Sequence, residues 1–341
     1  MRDVTIFAPV PILTVTVEGQ SDGPEVHIHA GGQGVWQARM LRRLGVDVTM
    51  CCVLSGETGT VLRHLLEDEG ISVAAVERSG RGAAYLHDRR DGERTVVAQE
   101  DGDPLGRHEL DELYGVVLRE ALGERSRLVI LSGPAGEEAL PPETYRRLAA
   151  DLRAGGATVV VDLAGDRLEA ALEGGVDVLK VSHEELRDDG LIDEASPHEI
   201  MAAMRRLRDT GAATVIVTRA EEPALFLDAG GFLEIRPPQF EIADTHGAGD
   251  SLTAGTVAGI ARGEAPRDAV ILGAAAGALN VTRHGLGTGD PDAIIELRQD
   301  VVVTPLADDA AAGIDQPVTG RVSPDGLAAL AEPADGDAEE D

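Results

Sequence analysis

The sequence predicts an α/β fold, namely a doubly wound, mostly parallel sheet with helices on both faces and a small β-sheet lid. Two observations lead to this prediction. Short β-branched runs alternate with amphipathic segments and Gly-bearing turns, which is typical of βαβ units. Two further pairs of short strand-like runs stand outside that alternation. With 341 residues and 43% hydrophobic content, the chain is long enough for one large domain.

The alternating runs make up the main sheet and its helices. Strands are expected at Asp47–Val53, Leu128–Ser132, Thr158–Asp162, Asp177–Val181 and Thr214–Thr218, and helices at Thr58–Glu69, Pro142–Ala154 and Pro197–Thr210. Right-handed crossovers would place helices on both sheet faces. In such sheets the ligand lies outside the carboxyl ends of the strands.

The two additional pairs predict a small antiparallel sheet. Leu13–Glu18 pairs with Glu25–His29, and Ala84–Asp88 pairs with Arg94–Gln99 across an Asp91-Gly92 hairpin signal. These lid strands span roughly residues 11–30 and 82–99. A lid would exclude water from a reaction that water could spoil.

The domain is expected to span residues 1–306. Beyond it, residues 307–341 carry ten acidic side chains, one arginine and no aromatic residue. Such a segment cannot bury enough apolar surface to fold, so we expect an acidic disordered tail.

Composition excludes several functional classes. A net charge of −31 repels nucleic acid and anionic membrane surfaces. No run approaches the roughly 18–20 apolar residues of a membrane span, and the N-terminus lacks a secretory pattern. Cys51 and Cys52 are adjacent and so poorly placed to bridge each other. We therefore expect reduced thiols in a cytoplasmic protein that acts on a small molecule.

The stretch Asp-Thr-His-Gly-Ala-Gly-Asp-Ser at 244–251 is the most informative part of the chain. It follows a strand-like run, Phe240–Ala243, and precedes a helix of small residues, Leu252–Ala261. Gly247 and Gly249 permit a tight turn whose N–H groups converge at the positive end of the helix dipole.

That turn predicts an anion hole suited to a transferring phosphoryl group. The carboxylate of Asp250 would lie beside it and accept a proton from an attacking hydroxyl. The structural alternative is an ordinary strand-to-helix turn in which Asp244 or Asp250 only caps the helix.

The string from Asp244 to Asp250 resembles the C-terminal signature of the PfkB, or ribokinase-like, carbohydrate kinases. Gly31-Gly32-Gln33-Gly34-Val35-Trp36-Gln37-Ala38 is similar to the family's N-terminal glycine motif, and residues 179–186 are similar to the segment with its Asn-x-x-Glu motif. The resemblance covers roughly residues 3–305 and is nearest to the 1-phosphofructokinase and tagatose-6-phosphate kinase branch.

The resemblance implies a Rossmann-like fold with a lid and an ATP-dependent kinase that uses Mg²⁺. It assigns the base to Asp250, the anion hole to Gly247, Ala248 and Gly249, and the magnesium–water shell of the nucleotide to Glu185. It further implies nucleotide contacts at Lys180, Ser182, Thr218, Thr245, Asn280 and Gly285, and acceptor contacts at Gly31, Gly32, Gln33, Trp36 and Asp250.

Departures from the family pattern concern both ligands. Gln33 and Trp36 stand where relatives have a lysine and an asparagine that touch the sugar, and residues 8–12 offer no carboxylate. Ser182 replaces the motif asparagine, and residues 218–223 lack both glycines of the family's Thr-x-Gly-x-x-Gly loop.

Three functions stay open at this point. The first is a sugar or sugar phosphate kinase. The second is a nucleoside kinase of the same superfamily in which Trp36 stacks on a base. The third is a catalytically silent ligand sensor or regulatory subunit that has kept the fold. A homodimer formed through the lid strands is compatible with each of them.

Overall fold

The computed structural model describes residues 2–20, 23–91, 95–134, 136, 138–243, 245–282 and 287–307. Asp244, Gly285, the centre of the 88–95 hairpin and residues 308–341 lie outside this range, and so do the predictions made for them. Among the described helices, none is long and apolar enough to cross a membrane.

Fourteen strands of the described residues form two sheets. They are β1 Val4–Phe7, β2 Ile12–Gln20, β3 Gly23–Gly31, β4 Val48–Ser55, β5 Ser72–Arg78, β6 Ala84–Asp88, β7 Thr95–Glu100, β8 Leu128–Ser132, β9 Thr158–Asp162, β10 Val176–Ser182, β11 Ala212–Arg219, β12 Glu222–Asp228, β13 Gly231–Arg236 and β14 Val302–Leu306. The large sheet has the order β14-β13-β12-β11-β10-β9-β8-β1-β4-β5, and the small one β3-β2-β6-β7.

In the same part of the chain, ten α-helices connect these strands. They are α1 Gln33–Arg43, α2 Gly56–Asp68, α3 Arg107–Ala121, α4 Glu143–Ala154, α5 Gly165–Gly174, α6 His183–Asp188, α7 Pro197–Thr210, α8 Ala248–Ala261, α9 Pro266–Asn280 and α10 Pro291–Leu297. One face of the large sheet packs on α1, α2, α8, α9 and α10, and the other on α3 to α7. The predicted helices on both faces are confirmed.

The large sheet is parallel from β5 to β11 and antiparallel from β11 to β14. The chain starts in the middle, at β1, then winds outward through β4 and β5 before returning to β8 on the other side. This reversal creates a switch point where two crossovers diverge, and ligands of such sheets bind at this point, outside the carboxyl ends of the strands. The predicted doubly wound architecture is therefore confirmed.

The small sheet contains the four predicted extra strands. β2 pairs antiparallel with β3 and parallel with β6, and β6 pairs antiparallel with β7. Its role as a lid remains a prediction.

Two helices of small residues, α8 and α9, lie against each other at close range. A Cβ at Gly255 would come within 2.8 Å of the Gly273 Cα, so both glycines are needed for this approach. Because α8 is buried along most of its length, its first turn is fixed with respect to the sheet.

One strand prediction is wrong. Residues 240–243 form no strand, and only Phe240 makes an isolated bridge. The Ala243 N–H instead donates to the Val281 carbonyl at the end of α9, 2.8 Å away. A backbone hydrogen bond therefore links the run to that helix, and the run forms no strand of the sheet.

Candidate active site

Polar side chains collect at the carboxyl ends of three neighbouring parallel strands. Ser132 ends β8, Asp162 ends β9, and Lys180 lies near the end of β10. All three are buried, with relative exposures of 0%, 1% and 7%. Buried polar groups at strand ends of a doubly wound sheet are typical of a ligand site.

Asp250 joins this group from α8. It is the third residue of that helix, whose N-cap is Gly247 in the left-handed conformation (φ 75°). Within the described part of the chain no side chain caps this helix, so the alternative interpretation of Asp250 as a capping residue is wrong, while Asp244 lies outside that part. The Asp250 carboxylate is instead buried, with 8% exposure.

Lys180 is the only lysine of the chain, and the other permanently charged bases are arginines. Its Nζ donates to Asp162 Oδ1 at 3.1 Å. It also lies against the glycine turn, since a Cβ at Gly249 would stand 2.8 Å from the ammonium. The site thus holds one buried cation directly beneath the start of α8.

The charges in the cluster perturb one another. Burial raises the pKa of Asp250 well above its ordinary value, and the neighbouring Asp162 carboxylate raises it further, while Lys180 opposes both. Burial would lower the pKa of Lys180, but Asp162, Glu185 and Asp250 outweigh burial and raise it. The lysine is therefore a permanent cation, and Asp250 is a carboxylate that binds a proton readily.

Gln37 connects the two carboxylates. Its amide Nε2 donates to Asp162 Oδ2 at 3.0 Å and to Asp250 Oδ1 at 3.3 Å. Its Oε1 accepts a hydrogen bond from the Ser132 hydroxyl. Thr253, one turn into α8, also donates to Asp162 Oδ2 at 2.7 Å.

Asn280, which is fully buried, holds the glycine turn in place. Its Nδ2 donates to the His246 carbonyl at 2.8 Å, and its Oδ1 accepts from the Gly287 N–H at 3.2 Å. Both ends of the Asn280 amide thus bind backbone. The first turn of α8 leaves its N–H groups without helical acceptors, which suits an anion.

Glu185 and Ser182 form a capping box at the start of α6. Glu185 Oε2 accepts from the Ser182 N–H at 2.7 Å, and Ser182 Oγ accepts from the Glu185 N–H at 3.1 Å. One carboxylate oxygen of Glu185, Oε2, therefore caps the helix. The other oxygen takes no part in the capping box.

A magnesium ion fits this site only as part of a bound nucleotide. Among the described residues, no group of three or more His, Cys, Asp or Glu side chains could hold a metal ion. Mg²⁺ keeps several waters and is commonly bound through substrate phosphates with one or two carboxylates. A single half-buried carboxylate, Glu185, is compatible with that arrangement.

The residues predicted to contact the acceptor lie at the start of α1. Gly31 ends β3, Gly32 (φ 102°) caps α1, and a Cβ at Gly31 would meet Thr14 Oγ1 at 2.5 Å. Gln33 Oε1 accepts from the Gly133 N–H at 2.7 Å. Trp36 is half-buried one turn further on.

The predicted nucleotide loop is a tight hairpin between β11 and β12. Thr218 pairs in register with Ser182, which brings the ends of β11 and β10 together. Ala220, at the position of the first lost glycine, adopts a left-handed conformation with φ 51°. Thr245 is exposed.

The lid arginines are paired with acids. Arg81 Nη2 lies 2.9 Å from Asp103 Oδ1, and Arg90 Nη2 lies 2.6 Å from Asp88 Oδ2. Both arginines are largely exposed. Each arginine and its acidic partner therefore form a solvent-exposed ion pair, as expected for charges on a hairpin.

Comparison with known proteins agrees with this geometry. The model of the pfkB family carbohydrate kinases matches residues 5–293. This chain belongs to the pfkB family of carbohydrate kinases. The resemblance seen in the glycine motifs is thereby confirmed.

Among pfkB relatives, the 1-phosphofructokinase of Bacillus subtilis is 27% identical over 279 residues, which cover 82% of this chain and 89% of that protein. The ATP-dependent 6-phosphofructokinase isozyme 2 of Escherichia coli is 28% identical over 263 residues, covering 75% and 82% respectively.

Solved pfkB-type structures show the same fold. Phosphofructokinase-2 from Escherichia coli in complex with potassium has a TM-score of 0.78 at 25% identity, covering 88% of this chain and 99% of that chain. The ribokinase of Arabidopsis thaliana complexed with ribose and ATP has a TM-score of 0.68 at 17% identity, covering 87% and 99%.

Three buried members of the pfkB site were missed by sequence reasoning: Asp162, Ser132 and Gln37. Asp162 and Ser132 end predicted strands, so a search for polar residues at strand ends could have found them. Gln37 lies on the face of α1 that also buries Gly34 and Leu41. A polar residue in a buried helix stripe was the available signal.

Proposed function

We propose that this pfkB-family chain transfers the γ-phosphoryl group of ATP to a hydroxyl of a sugar or sugar phosphate, with Asp250 as the general base. One observation carries the proposal. A buried carboxylate at the first turn of α8 lies beside both the glycine turn and the buried ammonium of Lys180.

In this reaction the acceptor oxygen forms a bond to the γ-phosphorus while the bond to the β–γ bridging oxygen breaks and ADP leaves. Asp250 takes the proton of the acceptor hydroxyl. The amides of Gly247, Ala248 and Gly249 and the Lys180 ammonium stabilise the charge that the transferring group carries. Most of the catalytic effect is positioning and electrostatics, since the protein forms no covalent bond.

Mg²⁺ supplies charge neutralisation on the phosphates when it enters with ATP. Glu185 is the group we assign to its water shell, through the carboxylate oxygen that the capping box does not use. We assign Ser182, Thr218 and Thr245 to the rim of the nucleotide site. Asn280 supports that site indirectly, because both ends of its amide bind the backbone of the flanking loops.

The acceptor class rests on the relatives, which are named as phosphofructokinases. The start of α1 supports it, because Gly31, Gly32 and Gln33 lie at the same end of the sheet as Asp250. Trp36 offers an apolar face, which suits a sugar ring or a base. A phosphorylated acceptor would need Arg81 or another lid arginine to exchange its acidic partner for the ligand.

The test is phosphorylation of a panel of sugars, sugar phosphates and nucleosides with Mg·ATP, with Asp250→Asn as the matched variant. Loss of a general base is expected to lower turnover by about 10²–10⁴-fold. Absence of Asp250-dependent turnover on every acceptor would reject the kinase. Calorimetric binding of a metabolite without Mg·ATP, and without transfer, would favour the silent sensor.

A second variant distinguishes a nucleoside acceptor from a sugar acceptor. If Trp36 stacks on a base, Trp36→Ala weakens nucleoside binding and leaves sugar binding largely unchanged. Equal turnover of nucleosides by both forms would argue against that role.

We further propose a homodimer formed through the small sheet and residence in the cytoplasm. Cys51 and Cys52 are both buried free thiols, which suits a reducing compartment. For the dimer, the small sheet carries exposed apolar residues on β3 and β7.

A further inference from the structure

Gln37 is a neutral side chain that bridges the two buried carboxylates of the site. Asp250 faces Asp162 from β9, Lys180 from β10 and Glu185 from α6. Of these, only Lys180 is cationic, and its Nζ donates to Asp162. The Asp250 carboxylate accepts a hydrogen bond from the Gln37 amide.

The orientation of that amide is fixed by its neighbours. Its Oε1 accepts from the Ser132 hydroxyl, and its Nε2 donates to one oxygen of each carboxylate. The flipped amide would place its oxygen against two carboxylates, which repel it. Ser132 is itself held in place at the end of a strand, and the Tyr145 hydroxyl donates to its carbonyl at 2.9 Å.

We infer that Gln37 is a positioning residue that holds the Asp250 carboxylate ionised and oriented toward the acceptor, with Ser132 fixing the direction of its amide. The inference rests on the kinase proposal above for its role in turnover. The geometry itself does not depend on that proposal.

The physical reason is that an amide N–H can only donate, so it favours the charged form of an acceptor that could otherwise share a proton. Two carboxylates that lie on one donor repel each other, and either could take up a proton. A donor placed between them offsets this repulsion. It also restrains rotation of the Asp250 carboxylate, on which proton transfer depends.

The experiment compares the wild type with Gln37→Leu and Ser132→Ala. The pH dependence of kcat/KM is measured with an acceptor from the panel, and the Asp250 carboxyl is titrated by ¹³C NMR, with Asp250→Asn as the assignment control. For Gln37→Leu we expect the acid limb and the titration to move up by about one pH unit. The kcat plateau should fall about tenfold with an unchanged acceptor KM. Ser132→Ala should move the acid limb and the Asp250 titration in the same direction as Gln37→Leu does, but by a smaller amount.

Gln33→Leu is the matched control, because Gln33 lies on the same helix but bonds a backbone N–H and not a carboxylate. It should change the acceptor KM and leave the acid limb in place. If Gln37→Leu lowers the melting temperature but leaves both the acid limb and the titration at the wild-type pH, Gln37 only fills space and the inference is wrong.

Two further outcomes are covered. If no acceptor is phosphorylated by the wild type, the kinase proposal fails, while the NMR titration still decides the role of Gln37. If Gln37→Leu does not fold, the isosteric Gln37→Glu takes its place. It removes the donor and adds a third carboxylate, so the Asp250 titration must move further up, and an unchanged titration overturns the inference.

Discussion

Asp250 is a residue whose proposed task conflicts with the stability of the fold. Its carboxylate is buried, and burial together with Asp162 raises its pKa above the unfolded value. The folded chain therefore holds the proton more tightly than the unfolded chain does. The stabilising effect of that proton is fully present below the unfolded pKa of about 3.9, and it is lost as the pH rises through the folded pKa.

We accordingly expect Asp250→Asn, which removes the charge and keeps the shape, to be more stable than the wild type by roughly 1–2 kcal/mol near pH 8. The difference should shrink toward zero as the pH falls below 5. Urea unfolding between pH 3.5 and 8 measures it, because the difference disappears only as the pH approaches the unfolded pKa of about 3.9. Asp209→Asn, at an exposed site on α7, is the control and should show no such trend. A gap that stays constant with pH would contradict the expectation.

At the same scale, sequence reasoning found Asp250 but missed its neighbours. Asp250 lies within a short, specific string of glycines and acids that signals its surroundings locally. The Gln37–Asp250 contact joins residues 213 positions apart, and Gln37–Asp162 spans 125. The local sequence of α1 does not indicate which strand end Gln37 will contact, because the packing of α1 on the whole sheet determines this.

At the scale of elements, local pattern predicted five of the seven parallel strands of the described sheet and four of its helices, namely α2, α4, α7 and most of α8. Buried β-branched runs between amphipathic segments have few alternative structures. The strand prediction for 240–243 failed because the Ala243 N–H donates to the Val281 carbonyl at the end of α9 and not to a neighbouring strand, and only tertiary packing decides this. The 219–222 turn is the opposite case. The sequence shows that the glycines of the loop are missing, but it does not indicate the backbone conformation that the turn adopts without them.

Ala220 in that turn adopts φ 51°, a left-handed conformation that costs a residue with a Cβ roughly 1–2 kcal/mol. We expect Ala220→Gly to raise the free energy of unfolding by about 0.5–1 kcal/mol, because part of the relief is offset by greater freedom in the unfolded chain. Thermal and urea unfolding measure the change. Ala150→Gly, inside α4, is the opposite control and should destabilise by about 1 kcal/mol. Destabilisation by both variants would show that the turn carries no strain.

At the scale of the whole molecule, the central strands β2 and β6 of the small sheet bury polar side chains on one face, and the outer strand β3 exposes apolar side chains on the other. Thr16 and His87 are buried and their side chains bond each other at 3.1 Å. On the opposite face, register pairs Val26 with Val17 and Ile28 with Val15, and Val26 and Ile28 are 59% and 54% exposed. A single solvated sheet normally shows the reverse pattern, so this face is suited to a second copy.

We therefore expect the wild type to elute as a dimer of the 35.7 kDa chain and Ile28→Asp to elute as a monomer. A charge in the middle of an apolar contact would be buried without a partner, which opposes association. Size-exclusion chromatography with light scattering measures both masses. Val61→Asp, an exposed valine on α2, is the matched control and should leave the mass unchanged. A monomeric wild type at micromolar concentration, or a dimeric Ile28→Asp, would exclude the small sheet as the contact surface. Because β2 leads into the glycine motif through β3, loss of the dimer should also raise the acceptor KM.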